Sequence, residues 1–482
     1  MLKLEKVNSI LIGFLSNSLG TLVMFAITLF LTRVLDQELY GEFRLAFSFV
    51  SLMVVLLLLG RDNGVVFFSQ KKKNQKEVDK IITEEAFFSL IILVVGVILL
   101  GAFKNTILQY VFNNNLSSEN YLLSLFMIPL WGFFNIGIAG LKAKKLINYS
   151  FTLTNFTQRI IRATFFLVLI FISQSFFSLT LSMILSQLVL LFLLIRKLPS
   201  IILVRKVVIK NFFLRFTYSL KLGLASIIFV AMGKIDVIML GNLRNNYSVA
   251  IYDICILLSF VVIFPYLALV KSSEPIIIDI IKSKPLQKKY KQNLDLAISI
   301  ASFVVAIFVM QTEFILSFFG ENYMQGKNAL IILTIGYLCI NFLASPLEFL
   351  NMSGYTNTSL IVLVFTLVLN TVLNYFLIPI FDLNGAAIAT MISLLITKLI
   401  ALFFVKKKLG LYLVDYKSIL NLFPLLIILS LNFFIQSNYK DYFKSELTNT
   451  ASFVSLLILF VILSILFNVN LRKIALKYLR NE

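Results

Sequence analysis

The chain has 482 residues, 59% of them hydrophobic, with 48 Phe and only 8 Pro, and its mean hydropathy of +0.95 marks a protein whose solvent is mostly lipid. It contains no histidine, which removes the usual general base, the commonest zinc ligand and the commonest near-neutral pH switch together. The formal charge is +20, but the cations are spread over alternate loops, as membrane insertion and contact with anionic lipid demand, so no nucleic-acid partner is expected.

In chain order, apolar runs of a length that crosses the roughly 30 Å hydrocarbon core as helices lie at 10–32, 43–69, 83–103, 121–141, 151–172, 175–195, 216–240, 248–270, 295–319, 328–351, 358–380, 384–405, 418–436 and 450–467. The expected fold is an all-α polytopic membrane protein of about 14 transmembrane helices. With the N-terminus inside, 30 of the 43 Lys and Arg fall on that same side. They come as Lys3 and Lys6, then the groups Lys71 to Lys80, Lys142 to Lys145, Arg196 to Arg215, Lys271 to Lys291 and Lys406 to Lys417, and last Arg472 to Arg480 in the tail. Both termini are therefore expected in the cytoplasm of a bacterial inner membrane. The first apolar run is long enough to stay as a helix, so no cleaved signal peptide is expected.

The longest polar stretches, 196–215 and 271–294, read as basic linkers, and no sizeable soluble domain fits between the spans. Cys255 and Cys339 stand alone in apolar surroundings and read as packed thiols, with neither a disulfide nor a metal site. No G-x-x-x-x-G-K-[ST] loop is present, so the chain itself is not expected to hydrolyse ATP.

Leu31–Phe49 aligns at an offset of 209 residues with Leu240–Leu258, placing Tyr40-Gly41-Glu42-Phe43 on Val249-Ala250-Ile251-Tyr252. Each segment joins an outgoing helix to a returning one. This spacing predicts two six-helix lobes of like orientation, 1–195 and 216–405, separated by the cytoplasmic linker 196–215 and followed by two extra helices and a cytoplasmic tail at 406–482.

Three segments carry a family resemblance: LTRVLDQELYGEFRLAFSFV (31–50), GKIDVIMLGNLRNNYSVAIYDICILLSF (233–260), and FGENYMQGKNALIILTIGYLCI (319–340) followed by NTVLNYFLIPIFDLNGAAIAT (370–390). In these the chain resembles the polysaccharide flippases of the multidrug/oligosaccharidyl-lipid/polysaccharide (MOP) exporter superfamily, and 370–390 is the most specific of them. The resemblance implies a MATE-like fold, no enzymatic activity and no cofactor. It also implies movement of an undecaprenyl-pyrophosphate-linked glycan, such as an O-antigen or capsule repeat unit, from the cytoplasmic to the outer leaflet, with membrane lipids and the polysaccharide polymerase machinery as partners.

A charge inside a span costs at least ~2.5 kcal/mol, so intramembrane cations usually face a bundle interior or a water-filled cavity. Arg159 and Arg162 share one face near the middle of the fifth span and are the leading candidates to receive a pyrophosphate. Arg61, beside Asp62 in the sequence GRDNG, reads equally as a structural pair at a glycine-flanked break and as a lumen site. Lys398 and Lys234 join the candidates, although Lys234 and Asp236 can neutralise each other, and Lys221 reads as a snorkelling surface lysine. Arg33 reads as a gate or loop anchor. Asp62, Asp236, Glu313 and Glu348 are candidates for proton or sodium coupling, and each reads at least as well as a counter-ion.

Two other functions compete. A cation-coupled multidrug exporter on the same fold would use acidic residues and an apolar cavity, against the basic bias of the first lobe. A polysaccharide polymerase or ligase would need a large outer loop carrying catalytic side chains, whereas the longest outer loop, 437–449, offers only Asp441 and Glu446 among acidic residues.

Overall fold

The computed structural model describes residues 2–202, 209–414, 416–438 and 446–468. The middle of the basic linker at 203–208, the loop holding Lys440 and Lys444, the tail from 469 onward and the side chain of Lys221 lie outside the described residues. Every regular element among the described residues is helical, as lipid demands of a spanning backbone that must satisfy its own hydrogen bonds.

Among the described residues ten helices are long and apolar enough to span, two bent pairs with breaks of 42° and 45° bring the number to twelve if each is one span, and two shorter apolar helices cover Leu420–Ile435 and Phe453–Leu466. They occupy the fourteen expected places. Outward faces carry large apolar side chains such as Phe171, Phe229 and Phe433, each about three quarters exposed. That is the surface a lipid solvent accepts and water does not.

By packing, the chain divides into two compact units, Met1–Ala250 and Ile251–Glu482. The first holds α1 (Leu2–Val34), α2 (Gln37–Leu58), α3 (Arg61–Gln70), α4 (Gln75–Ala102), α5 (Met127–Ala143), α6 (Gln158–Ile172), α7 (Phe176–Lys197), α8 (Ile209–Met232) and α9 (Ile235–Leu243). Helix α2 starts where the Asp36 carboxylate accepts from the Glu38 N–H at 3.2 Å, a side-chain cap for an otherwise orphaned donor. It stops where Leu59 (φ 49°) and Gly60 (φ 73°) turn left-handed. The run 43–69, expected as one span, is therefore two helices, because hydropathy does not register a change of backbone handedness. A Cβ on Gly60 would strike the backbone of Gly223 in α8, and one on Gly223 would strike Gly60. The break is thus packed backbone to backbone through small residues.

The fifth span has its own irregularity. A π-turn at Leu153–Thr157 precedes α6 and shifts the helix face just ahead of Arg159 and Arg162, a position where such turns often serve function.

The second unit opens within α10 (Asn246–Ser259) and continues through α11 (Lys284–Met310), α12 (Lys327–Phe342), α13 (Pro346–Met352), α14 (Thr356–Phe381), α15 (Leu383–Leu409), α16 (Phe423–Asn438) and α17 (Glu446–Phe467). The stretch 271–294, expected as a linker, is largely helical, and α11 is already under way at Lys284. Tyr290 and Leu294 are buried while Lys288 and Lys289 face out, so an amphipathic helix face had the composition of a loop. Asp295 of α11 anchors the C-terminal elements, its Oδ1 accepting from Ser418 Oγ at 2.6 Å and Asn421 Nδ2 at 3.1 Å. Helices α14 and α15 form a hairpin across Asp382 (φ 53°), and a Cβ on Gly385 would meet the Leu377 carbonyl. Asn374 Nδ2 donates to Asn370 Oδ1 at 3.2 Å along α14, and the Thr366 and Thr397 hydroxyls join α14 to α15. Cys255 is buried and donates to the Gly326 carbonyl at 3.4 Å. Cys339 is exposed, contrary to expectation, because it shares the outer face of α12 with the exposed Ile335 while its sequence neighbours Leu338 and Ile340 pack into the core.

Candidate functional site

The first unit holds two concentrations of intramembrane charge, and they differ in kind. In the first, Arg61 is fully buried and donates from Nε and Nη2 to Glu85 Oε2 at 3.0 and 2.9 Å. Arg215 of α8 donates from Nε to Glu85 Oε1 at 2.6 Å and from Nη2 to Glu84 Oε2 at 2.5 Å. Both carboxylates are 2% exposed. Two arginines and two glutamates thus tie α3, α4 and α8 together with their charges balanced, the condition under which buried ions persist.

This corrects the sequence pairing of Arg61. Arg61 pairs with Glu85 and not with the adjacent Asp62, because neighbours on a helix face different directions while residues 24 apart meet across α3 and α4. Asp62 sits in the first turn of α3, where the helix dipole favours a carboxylate.

The second concentration is built on aromatic faces. Phe47 of α2 packs against Trp131 of α5, the rings tilted by 30° with centroids 5.2 Å apart. The Arg44 guanidinium lies 5.3 Å and the Lys234 ammonium 5.6 Å from the Phe47 ring, and Arg162 lies 5.8 Å from Trp131. Three cations therefore approach one aromatic pair, and Arg162 is close enough to Arg44 and Arg159 to be repelled by both. In its hydrogen-bonding orientation the Gln158 amide accepts from Arg162 Nη2 at 2.9 Å. Arg162 makes no ion pair among the described residues. Arg162 suits an anion, since a guanidinium fork matches phosphate oxygens and the indole quadrupole favours its charge without neutralising it.

Arg159 takes a different task from its neighbour. Its Nη1 donates to Thr21 Oγ1 at 2.6 Å and to the Asn17 carbonyl at 3.1 Å, and its Nη2 to Asn17 Oδ1 at 3.2 Å, fastening α6 to α1. Asp236 is buried in the first turn of α9, next to the bend that carries Lys234. Arg33 is exposed in the last turn of α1.

In the second unit Lys398 donates to the Tyr266 hydroxyl at 2.5 Å and the Ala344 carbonyl at 2.8 Å. Glu348, in the first turn of α13, lies within electrostatic reach of Lys398, Tyr266 and Tyr290, and its Oε2 has no hydrogen-bond partner among the described residues. Glu313 pairs with Lys327 at 2.7 Å on the surface, where both side chains are about half exposed or more.

Sequence reasoning missed Glu84, Glu85, Arg44, Phe47 and Trp131. The doublet Glu84-Glu85 stood at the edge of an expected span and had the look of loop polarity. Arg44 stands one residue inside the expected span 43–69 and carries no mark of a site, and the helix that Asp36 caps places it in the second turn of α2. Trp131, as the single tryptophan, was the most readable clue among the five.

The chain matches the family model described as "Polysaccharide biosynthesis protein" over residues 7–270 and the MatE model over residues 222–376. Over 199 residues it is 28% identical to an uncharacterized membrane protein of Methanocaldococcus jannaschii, covering 40% of this chain and 47% of that protein, so the chain spans about half the length of this relative. Its fold is similar to that of lipid II flippase MurJ in an inward closed conformation, with a TM-score of 0.68, 19% identity, and coverage of 96% of this chain and 98% of that one. It is also similar to an inward-facing multidrug resistance MATE family transporter of the MOP superfamily, with a TM-score of 0.62, 14% identity, and coverage of 81% and 94%. The structural likenesses establish the fold, and the first family model covers more than half of the sequence. The chain belongs to the polysaccharide biosynthesis protein family and is a multi-pass membrane protein with the MOP-superfamily fold.

Proposed function

We propose that the protein is a flippase that carries undecaprenyl-pyrophosphate-linked oligosaccharide repeat units, of the O-antigen or capsule type, from the cytoplasmic to the outer leaflet by alternating access, with both termini cytoplasmic. The observation that carries this reading is the convergence of Arg44, Arg162 and Lys234 on the Phe47–Trp131 pair. Arg162 makes no ion pair among the described residues, and a pyrophosphate supplies oxygens that match its guanidinium fork. Arg162 is the central contact in this scheme, while Arg159 holds α6 against α1. The fold's relation to a lipid II flippase is consistent with a polyprenyl-linked cargo.

The test is translocation of a matched undecaprenyl-pyrophosphate oligosaccharide in proteoliposomes by the intact protein, Arg162→Ala and Arg159→Ala, at equal insertion. Flipping by the intact protein, its loss in Arg162→Ala and its retention in a less stable Arg159→Ala are expected. No flipping of any matched glycan, together with export of a cationic dye, would replace this reading with the drug exporter.

A further inference from the structure

In the second unit two interrupted helices meet at a lysine. The first gives way to the 3-10 turn Phe260–Ile263 before the helix Phe264–Ser273 begins. The second is the bent span shared by α12 and α13, broken by 45° where Ala344 turns left-handed at φ 57°. Asn341 Nδ2 donates to the Val262 carbonyl at 2.9 Å and ties one break to the other. Lys398, near the middle of α15, bridges the same two elements through the Tyr266 hydroxyl and the Ala344 carbonyl. Ala344 and Ser345 are wholly buried, and Tyr290 of α11 bonds Ser345 Oγ at 2.7 Å.

Irregular backbone within a membrane protein is where carbonyls are released to hold a cation. Lys398 makes no ion pair among the described residues. Its ammonium goes instead to uncharged oxygens at the break, with Glu348 acting on it from farther off and keeping Oε2 without a hydrogen-bond partner among the described residues. A carbonyl, a phenolic hydroxyl and one carboxylate form the oxygen set of a hard cation of single charge. An ammonium has that charge, with three donors and no acceptor.

We propose that Lys398 is a built-in cation: it stands in a monovalent-metal site between the two breaks, so that the second unit needs no bound metal ion there. Glu348 is then its counter-ion. The inference does not rest on the cargo, and its test uses none, so it and the flippase reading stand or fall separately.

The experiment measures thermal unfolding of the purified full chain in detergent, in the chlorides of choline, lithium, sodium and potassium at equal concentration. The intact protein is expected to unfold at the same temperature in all four, within about 1 °C. Lys398→Ala, which removes the ammonium and leaves its space, should unfold earlier in choline and gain about 3 °C or more in at least one metal salt, as a ligand of the folded state gives. Lys398→Met, whose side chain fills that space, should not gain, and adding Glu348→Gln to Lys398→Ala should abolish the gain. Where Lys398→Ala cannot be recovered in choline, its recovery in a metal salt, lost with Glu348→Gln, is the same positive result. A variant that gains in no metal salt, or is recovered in none, overturns the inference. So does a gain that survives Glu348→Gln, or an intact protein that gains as much as the variant.

Discussion

The buried quartet of Arg61, Arg215, Glu84 and Glu85 and the aromatic cluster of Arg44, Arg162 and Lys234 show two ways for one membrane protein to hold cations. In the quartet each guanidinium faces a carboxylate at 3.0 Å or less, so the charge is neutralised within the protein. In the cluster the cations stand 5 to 6 Å from ring centres, and Arg162, which makes no ion pair among the described residues, keeps a charge that the indole favours without cancelling. An intramembrane arginine is therefore not a binding residue by virtue of its depth alone. Its partner decides, and Arg61 and Arg162 fall on opposite sides of that line.

Removing one member from each region separates these roles. The largest effect on stability is expected from Glu85→Gln, which leaves Arg61 and Arg215 facing a neutral amide. Breaking a buried pair in this way costs about 3–5 kcal/mol, so unfolding in detergent should begin at a markedly lower temperature. If Glu85→Gln is as stable as the intact protein, the quartet is not what holds α3, α4 and α8 together.

Arg162→Ala should leave the unfolding temperature within a few degrees of the intact value but weaken undecaprenyl-pyrophosphate binding about tenfold to a hundredfold, the worth of a charge-assisted hydrogen bond. Arg162→Lys should recover only part of that loss, since an ammonium keeps the charge but not the planar fork. Equal binding by all three proteins would remove Arg162 from the site.

Lys398→Met offers an intermediate case from the second unit. It strips a donor from the Ala344 carbonyl and the Tyr266 hydroxyl and should cost about 1–3 kcal/mol of stability, measured by the same thermal scan. The smallest effect belongs to Glu313→Gln, because its partner Lys327 is also exposed and surface ion pairs contribute about 0–1 kcal/mol. Translocation by this variant should match the intact protein at every salt concentration, and a large deficit would make Glu313 a coupling residue after all.

The fold was largely legible in the sequence because fourteen apolar runs and an alternating pattern of basic loops are one-dimensional signals. What hydropathy could not register was backbone handedness at Leu59 and Gly60 and the amphipathic start of α11. The site was legible only in part. Arg162 and Lys234 stood out as charges in apolar runs, but their aromatic platform depends on Phe47 meeting Trp131, 84 positions away, and one phenylalanine among 48 carries no mark of its own. Arg61 was drawn to Asp62 by sequence adjacency, whereas ion pairs follow packing across helices, as Glu85 shows. The split between Arg159 and Arg162 was also hidden, since periodicity gives a shared face but not which neighbouring helix each side chain reaches.

The most direct measurement is an experimental density map of the protein bound to undecaprenyl pyrophosphate. Phosphate oxygens within hydrogen-bonding distance of Arg162 and of Arg44 or Lys234, with the Arg61 quartet intact, are the predicted result. Phosphates placed at Arg61 with Glu85 displaced, or held in the second unit by Lys398 with Arg162 untouched, would contradict it.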